Sequence, residues 1–302
     1  MKFLISGGTG LIGTRLSSYL INEGHSVNIL SRQFRISNDS RIEYFMWNPS
    51  QKVIDKSSIV GVDIIINLAG SSVFSFWSNK NKKKIIKSRL DSLSTLYQII
   101  KRDKNHKITH IISASAIGIY PNSKTVKYDE TFKSSEGTFL CNVVREWEDK
   151  IQEFKKINLA VTTLRIGLVL CKEGGILKKL IQISKFGISN VFDGGNQCQS
   201  WIHIDDLVKI FYHLINNKLF GIYNAVSPNP STFLELKELA SRLSSKTILN
   251  FNIPKTLITI PFKILGIQDF YGDIIASDKN VSANKILKSG YNFVHSSLKK
   301  IK

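Results

Sequence analysis

The sequence predicts an α/β fold in which a doubly wound parallel sheet carries helices on both faces. Three observations support this fold class. Short apolar strand patterns alternate with amphipathic helix patterns over the first two thirds of the 302 residues. A glycine-rich segment joins the first strand to the first helix. The pattern then changes near residue 174, and the last fifty residues predict a small C-terminal α/β lobe.

The first strand-to-helix connection carries the most informative motif. Residues 3–5 are an apolar run typical of a buried strand, and the glycines after them fit both G-x-G-x-x-G and G-x-x-G-x-x-G. Gly7 or Gly8 makes the tight turn, Gly10 lets the backbone approach a pyrophosphate, and Gly13 lets the helix pack closely. The helix start then directs unpaired N–H groups at negative charge. The predicted Rossmann-like dinucleotide site is Gly7, Gly10, Leu11, Ile12 and Gly13.

The end of the second strand indicates which dinucleotide is preferred. An NAD-preferring site places Asp or Glu about 20 residues after the glycines, where it holds the ribose 2′-hydroxyl. This chain has Ser31 and Arg32 there, with no acid before Asp39. A guanidinium pairs with a 2′-phosphate, whereas a carboxylate would repel it. We therefore expect NADP(H) in preference to NAD(H), although Arg32 is also explained as one more surface cation of a basic chain.

The remaining elements follow in alternating order. Strands are predicted at 26–30, 42–46, 62–68, 107–113, 160–166, 201–204 and 221–226, and helices at 80–102, 137–156, 176–186 and 232–243. Residues 191–200 predict a Gly/Asn/Gln-rich loop, and Asp205 or Asp206 predicts a helix N-cap. Ligands of such sheets lie beyond the carboxyl ends of the strands. Those ends add Leu68, Ala69, Gly70, Ser113, Ser115 and Val169 to the expected crevice.

Composition excludes several classes of protein. A hydrophobic content of 42% can build a core, and no apolar run approaches the roughly 18 residues of a membrane span. The net charge of +19 is densest at residues 80–89 but otherwise spread along the chain. The interleaved aromatic residues of a single-strand groove are missing. We therefore expect a small-molecule substrate of unknown identity and neither a specific nucleic-acid partner nor a membrane partner.

The cysteines indicate the compartment. Cys141, Cys171 and Cys198 are scattered and lack C-x-x-C spacing, which is typical of reduced thiols and argues against a zinc site. The N-terminus has no signal-peptide pattern. We therefore expect a cytoplasmic protein without a metal, and the oligomeric state, including a homo-oligomer, is left open.

Several separated segments together resemble a known family. They are residues 7–13, 67–70, 113–116 and 200–206. In these segments the chain is similar to the short-chain dehydrogenase/reductase superfamily in its extended branch, that of the NAD-dependent epimerases and dehydratases. Residues 87–90, 147–148, 164–170, 174–175 and 253–293 also resemble an atypical subgroup described as "epimerase family protein" or "cell-division inhibitor". The resemblance implies an NAD(P)-binding domain over 1–225, with substrate-side insertions around 174–200, and a small C-terminal domain over 250–300.

One departure from that family affects the chemistry. The resemblance implies a Tyr-x-x-x-Lys pair, in which the tyrosine is the general acid/base and the lysine lowers its pKa. Phe139 and Val143 stand at these positions, and the helix has no such pair in any register. Losing a positioned proton donor costs about 10²- to 10⁴-fold in rate, or about 3–5 kcal/mol of barrier. Either another group supplies the proton, or the fold binds NADP(H) without standard redox chemistry.

Two residues are candidates to replace the missing pair. Ser115 occupies the position of the family's catalytic serine and would polarise a carbonyl, with capping of the strand end as the alternative. Tyr120 is the nearest phenol in the sequence, and its alternative role is to pack a loop against the sheet edge.

Further side chains have both a functional and a structural interpretation. Arg89 matches a subgroup position that resembles a cofactor contact, and it is otherwise an exposed helix cation. Trp147 is expected as a core anchor rather than a stacking platform, and His203 as a structural histidine rather than a pocket residue. Glu146 and Glu148 are expected to be solvated.

Two functions remain open on the sequence. The first is an epimerase-like short-chain oxidoreductase that binds NADP(H) and acts on a small carbonyl or nucleotide-sugar-like substrate. The second is a non-catalytic, NADP(H)-dependent sensor or scaffold connected with cell division. The missing Tyr-x-x-x-Lys pair favours the second, whereas the retained Ser115 favours the first.

Overall fold

The computed structural model describes residues 1–74, 76–134, 137–186, 188–246, 249–253, 270, 272–273 and 276–302, with 188–193 and 249–253 described for the backbone alone. The chain divides into two compact units, and each unit is assembled from three separate segments. Unit 1 contains Met1–Ser115, Val143–Arg165 and Val208–Tyr223. Unit 2 contains Ala116–Asn142, Ile166–Leu207 and Asn224–Lys302. The predicted domain boundary stays a prediction, because residues 254–269 of the expected C-terminal domain lie outside the described residues.

The described strands and helices are as follows. The strands are β1 (Lys2–Ser6), β2 (Ser26–Ser31), β3 (Ile42–Asn48), β4 (Val53–Ile54), β5 (Ile64–Asn67), β6 (His110–Ala116), β7 (Ser123–Tyr128), β8 (Ala160–Ile166), β9 (Leu168–Cys171), β10 (Ile188–Phe192), β11 (Cys198–Gln199), β12 (Trp201–His203), β13 (Gly221–Ala225), β14 (Ser231–Thr232), β15 (Leu249–Ile253) and β16 (Lys279–Val281). The longer helices are α1 (Leu11–Asn22), α2 (Asn79–Arg102), α3 (Phe139–Gln152), α4 (Gly175–Ser184), α5 (Ile204–Asn216) and α6 (Phe233–Ser244).

An eight-stranded sheet in the order β13-β8-β6-β5-β1-β2-β3-β4 confirms the predicted fold class. β1 pairs in parallel with β2 and β5, β2 pairs in parallel with β3, and β5 pairs in parallel with β6. Among the described pairs of this sheet, only the short β4 runs antiparallel to its neighbour, β3. The chain moves outward from β1 to β3 and then returns to place β5 on the other side of β1. This reversal between β1 and β5 is the switch point at which sheets of this type bind ligands.

The central strands form the core of unit 1. Phe3, Leu4 and Ile5 of β1 are fully buried, as expected for a strand covered on both faces. Helix α1 buries Leu16 and Leu20 at helical spacing. The three cysteines of the chain are free. Within the described residues, no helix has both the length and the apolarity that a bilayer crossing requires.

The described residues of unit 2 form three small sheets and a separate apolar cluster. The sheets are β14-β11-β16-β7, the parallel pair β9 and β12, and the parallel pair β10 and β15. Helix α6 begins with a capping box in which Thr232 and Glu235 satisfy each other's backbone N–H groups. The buried cluster consists of Leu170, Leu177, Leu180, Trp201, Leu236, Leu239, Ala240 and Ile301.

Three details of the predicted elements were wrong. The expected loop at 191–200 includes the end of β10 and all of β11, because these residues pair with strands that are distant in sequence. The predicted helix at 137–156 ends at Gln152, and a 3-10 turn (Glu153–Ile157) follows. Helix α5 begins at Ile204, so Asp205 and Asp206 lie in its first turn and neither is its N-cap.

Candidate functional site

The glycine segment after β1 forms a turn in which side chains would clash. Gly7 has a φ of +73°, and a Cβ placed on it would lie 2.8 Å from the carbonyl carbon of Leu68. A methyl on Gly13 would overlap the Gly7 carbonyl and lie 2.5 Å from the Cα of Gly8. Gly7 therefore makes the tight turn, and Gly13 brings α1 against it. These are the geometric tasks expected for the two glycines from the sequence.

Gly10 is less crowded than these two. A Cβ built on Gly10 would lie 3.3 Å from the Gly7 oxygen, which is a tight contact but not an overlap. Gly10 is the N-cap residue of α1, and no side chain caps the helix there. The first turn contains no acidic residue. The N–H groups at the start of α1 are therefore not capped by a side chain, and uncapped N–H groups at a helix N-terminus can bind an anion.

The end of β2 places an exposed cation after a buried hydroxyl. Ser31 is buried, and its hydroxyl donates to the Gln33 carbonyl at 2.7 Å. Arg32 is exposed and has no ion-pair partner in the part of the chain that the structure describes. Asp39, the first acid after β2, receives two N–H bonds from the Arg41 guanidinium at 3.0 and 2.8 Å. Its carboxylate is therefore already paired with a neighbouring arginine, which lowers its pKa.

A buried polar network joins the carboxyl ends of β1 and β5 to the middle of β6. Ser6 donates to Asn67 Oδ1 at 2.6 Å, and Ser92 of α2 donates to the same oxygen at 2.8 Å. The Asn67 amide donates to Ser113 Oγ at 3.0 Å. Asn67 thus links three neighbouring strands at the switch point. Sequence reasoning gave it no role, although an asparagine ending an otherwise apolar strand was a usable signal.

Arg89 of α2 lies against the backbone that follows β5. A Cβ on Gly70 would lie 3.1 Å from the guanidinium carbon, so the side chain covers that glycine closely. Its Nη1 donates to the carbonyls of Ser71 and Ile85 at 3.2 and 2.8 Å. The guanidinium carbon also lies 4.9 Å from the centre of the Trp147 ring. Burial lowers the pKa of Arg89 to about 10, and no carboxylate in the described residues pairs with it.

Arg89 is therefore neither the fully exposed cation nor a member of an ion pair. Its side chain is held by two carbonyls and an aromatic face, while the rest of the guanidinium keeps donors for a ligand. Leu68 and Ala69, the other residues expected at this strand end, are half-buried. Their predicted role in cofactor binding stays a prediction.

Ser115 at the end of β6 is part of a buried side-chain triad, which we call the Ser115–Glu148–Arg165 triad. Its hydroxyl donates to Glu148 Oε1 at 2.6 Å. Arg165 of β8 donates to both carboxylate oxygens of Glu148 at 2.8 Å, one from Nε and one from Nη2. The side chains of Arg165 and Glu148 are 4% and 11% exposed. The arrangement is a bidentate pair, the strongest geometry for these two groups.

The prediction that Glu148 is solvated was wrong. Glu146, two residues earlier on α3, is exposed as expected, and Trp147 is buried as the expected core anchor. The missed signal lies in β8, where Arg165 interrupts a strand of buried residues. A guanidinium at such a position needs a carboxylate partner, because an unpaired buried charge is costly.

Helix α3 supplies no replacement for the missing Tyr-x-x-x-Lys pair. Val143 is buried, and Phe139 is half-buried. Neither side chain can donate or accept a proton.

Tyr120 and Val169 belong to unit 2. Tyr120 is 1% exposed, its hydroxyl donates to Asn224 Oδ1 at 2.8 Å, and its ring stacks on Tyr128 with centroids 5.8 Å apart. This environment suits the packing alternative, and a catalytic role for Tyr120 stays a prediction. Val169 lies in β9 opposite Ile202 of β12 and is half-buried.

His203 is in contact with a second histidine, which sequence reasoning did not foresee. The ring of His203 stacks on His295 with centroids 3.8 Å apart. Asp206, expected as a cap, is fully buried and accepts bonds from the Tyr291 hydroxyl and from the backbone N–H groups of Val294 and His295. It therefore anchors the C-terminal segment of unit 2 to the start of α5.

Comparisons with known proteins agree with this geometry. Residues 3–225 match the NAD dependent epimerase/dehydratase family. An "epimerase family protein" of Staphylococcus aureus (strain N315) is 32% identical over 303 residues, which cover 99% of this chain and 96% of that protein. Another from Staphylococcus saprophyticus is 34% identical over 227 residues, which cover 75% of each.

Solved structures share the fold at lower sequence identity. The crystal structure of the human epimerase family protein SDR39U1 (isoform 2) with NADPH superposes with a TM-score of 0.82 at 23% identity, covering 99% of this chain and 97% of that one. The UDP-glucose 4-epimerase of Thermus thermophilus in complex with NAD has a TM-score of 0.76 at 15% identity, with 97% and 94% covered.

Proposed function

Because the chain belongs to the NAD-dependent epimerase/dehydratase family, we propose that it binds NADP(H) in the glycine turn of unit 1 as an atypical, epimerase-like short-chain dehydrogenase/reductase. The observation that carries this proposal is the start of α1, where Gly10 leaves the helix N-terminus without a cap or an acid. The pyrophosphate would accept from those N–H groups. The human relative that shares the fold was solved with NADPH.

The choice of NADP(H) over NAD(H) rests on the charges that follow β2. Arg32 is exposed and unpaired within the described residues, so a 2′-phosphate can receive its donors. The first acid, Asp39, is held by Arg41 and would not compete for the ribose. Arg89 supplies a second cation beside Gly70. Together these residues make the crevice favourable for the additional phosphate.

The substrate side of the proposal rests on Ser115. The Ser115 hydroxyl proton is donated to Glu148 and is not free to polarise a substrate carbonyl. The lone pairs of the Ser115 oxygen can still accept a hydrogen bond from a substrate hydroxyl. The substrate class we propose is a small carbonyl or alcohol, including nucleotide-sugar-like molecules. Without a Tyr-x-x-x-Lys pair, turnover should be about 10²- to 10⁴-fold below that of a complete site. A cytoplasmic location is part of the same proposal.

A second function is favoured by the composition of α3. Phe139 and Val143 cannot move protons, and the hydroxyl of Ser115 is engaged in a buried triad. A protein that binds NADP(H) without turning it over would act as a sensor or scaffold whose partner surface depends on cofactor occupancy. A connection with cell division is proposed for this role on the family resemblance alone.

Titration with NADPH and NADH tests the proposed function. Following nicotinamide fluorescence, we expect NADPH to bind at least about tenfold more tightly than NADH, the ratio that about 1.4 kcal/mol of extra interaction produces. Arg32→Glu should weaken NADPH binding by about 10- to 100-fold, because it removes a charge-assisted contact worth about 1.5–3 kcal/mol, and should leave NADH binding unchanged. Arg35→Glu, which changes another exposed arginine nearby, is the matched control. Equal affinities for both cofactors in the wild type would contradict the phosphate assignment.

A substrate screen then separates the two functions. Oxidation of bound NADPH by any member of a panel of carbonyl and nucleotide-sugar compounds supports the enzyme. A protein pull-down that changes with NADPH while no compound is reduced supports the sensor.

A further inference from the structure

We propose that His203, Asp205 and His295 of unit 2 form a binding site for a divalent transition-metal ion such as Zn²⁺ or Co²⁺. Each residue offers one ligand atom, and the three atoms lie within 4.8 Å of one another. Two imidazoles and a carboxylate are the donors that these ions accept, whereas Mg²⁺ and Ca²⁺ prefer oxygen alone. The proposal does not depend on the cofactor, because all three residues belong to unit 2.

The distances within the cluster are longer than those of a coordination sphere. His203 Nδ1 lies 3.7 Å from Asp205 Oδ2, compared with the edge of about 3.3 Å expected around an ion with bonds of about 2.0–2.1 Å. His203 Nδ1 also accepts the backbone N–H of Asp205 at 3.2 Å, so an ion bound at this nitrogen would replace that hydrogen bond. The three side chains are partly exposed, so an ion can enter and a water molecule can complete a fourth position. Small side-chain rotations would therefore bring the ligand atoms together.

A buried carboxylate orients one of the ligands. Asp206 Oδ2 lies 3.0 Å from His295 Nδ1, which leaves the opposite ring nitrogen of His295 for a metal. Asp206 is itself fixed by the Tyr291 hydroxyl at 2.9 Å and by the N–H of Val294 at 2.9 Å. A carboxylate behind a histidine is the usual outer support of a protein metal site, because it sets the ring orientation and its basicity.

The close packing of the two imidazole rings weakens metal binding, because the rings must move apart before both can coordinate one ion. The imidazoles of His203 and His295 have an interplanar angle of 31°. A metal lies close to the plane of each imidazole that binds it, so the rings must open further before both can coordinate one ion. We therefore expect reversible binding of added metal rather than a tightly retained ion. The bound ion would link the start of α5 to the C-terminal segment and stabilise unit 2.

Metal titration of the full chain tests the site. Isothermal titration with ZnCl₂ should give one equivalent, and Co²⁺ should give d–d absorption without a thiolate charge-transfer band. His203→Ala and His295→Ala should each weaken Zn²⁺ binding by at least about 10- to 100-fold, the loss typical of removing even an outer partner. His213→Ala, which changes a half-buried histidine on the same helix α5, is the matched control and should bind normally.

A second measurement covers the case in which a variant fails to fold. In wild-type protein, imidazole ¹H–¹⁵N spectra should shift for His203 and His295 on addition of Zn²⁺ and stay unchanged for the remaining histidines. The proposal is overturned if the wild type does not bind Zn²⁺ stoichiometrically, or if a folded His295→Ala variant binds Zn²⁺ with the wild-type affinity. A thiolate charge-transfer band with Co²⁺ would place the site at a cysteine, and Zn²⁺-induced shifts confined to other histidines would place it elsewhere; either result also overturns the proposal.

Discussion

The carboxyl ends of β1 and β6 belong to the same sheet but are built in opposite ways. At the end of β1 no side chain caps the start of α1, because its N-cap is a glycine. Gly7 and Gly13 on either side also lack side chains. At the end of β6 the space is occupied by side chains, since Ser115 is bonded to a buried Glu148–Arg165 pair. The first end is suited to receive an anion, and the second is internally satisfied. The difference agrees with the proposal that the start of α1 binds the cofactor phosphates, and it leaves the Ser115 hydroxyl within a satisfied cluster of side chains.

The two ends should therefore respond differently to mutation. Removing a side chain at the β6 end leaves a buried charge without its partner, which affects stability. Adding a side chain at the less crowded Gly10 position affects ligand binding first, because a Cβ there would make a tight contact of 3.3 Å with the Gly7 oxygen but no overlap.

The largest effect is expected from Glu148→Ala. Arg165 would remain buried without a carboxylate, so the free energy of unfolding should fall by about 3–5 kcal/mol. Urea denaturation measures this change. Glu146→Ala is the matched control on the same helix, and because Glu146 is exposed it should stay within about 0.5 kcal/mol of the wild type.

A double variant sharpens this result. Glu148→Ala combined with Arg165→Leu removes both charges and should recover part of the lost stability, since a buried pair replaced by apolar groups is often neutral. Equal stability of the Glu148→Ala and Glu146→Ala variants would show that the triad is not a buried charge pair in solution.

A smaller effect is expected at the other end of β6, where a buried group is kept neutral. His110 is 4% exposed, contacts Thr162 Oγ1 at 2.9 Å, and has its pKa lowered by burial from 6.5 to about 4. Between these pH values the unfolded chain binds a proton that the folded chain does not. Stability should therefore fall as the pH drops from about 6.5 towards 4, by up to about 1.4 kcal/mol per pH unit.

Denaturation at several pH values checks this dependence. His110→Gln keeps a donor near Thr162 but does not titrate, so its stability should change less with pH over the same window. If the wild type and His110→Gln lose stability in parallel, the buried-neutral assignment of His110 is wrong.

The sequence was sufficient where the backbone alone defines the structure. The strand at 3–5, a tight turn at Gly7 or Gly8 and the close packing at Gly13 follow from local sterics and hydrophobic periodicity, so they could be predicted, and the structure places the turn at Gly7. The preference for a parallel sheet followed from strand and helix alternation. The boundaries of β10 and β11 could not be predicted, because their pairing partners are far away in the sequence.

The side-chain clusters were harder to predict because they join distant residues. Glu148 and Arg165 lie on a helix and a strand, and only their contact distinguishes a buried pair from two solvated charges. His295 lies 89 residues after Asp206, and nothing local indicates that it stacks on His203. The arginine within the buried strand β8 and the asparagine at the end of the apolar strand β5 were the signals in the sequence that pointed to partners.

The central claim is that the start of α1 binds the cofactor phosphates, and NADPH titration of Gly10→Asp tests it most directly. Gly10 is the N-cap of α1, and aspartate at an N-cap differs from glycine by only a few tenths of a kcal/mol. The variant should therefore fold normally, whereas its carboxylate should repel the pyrophosphate. Gly10→Ala, which adds bulk without charge, is the control and should lose less affinity.

We predict that the wild-type protein binds NADPH, that Gly10→Ala binds it more weakly, and that Gly10→Asp, at wild-type stability, does not bind it at millimolar concentration. Unchanged NADPH affinity in a folded Gly10→Asp variant, or no binding of either reduced nicotinamide by the wild type, would contradict the account.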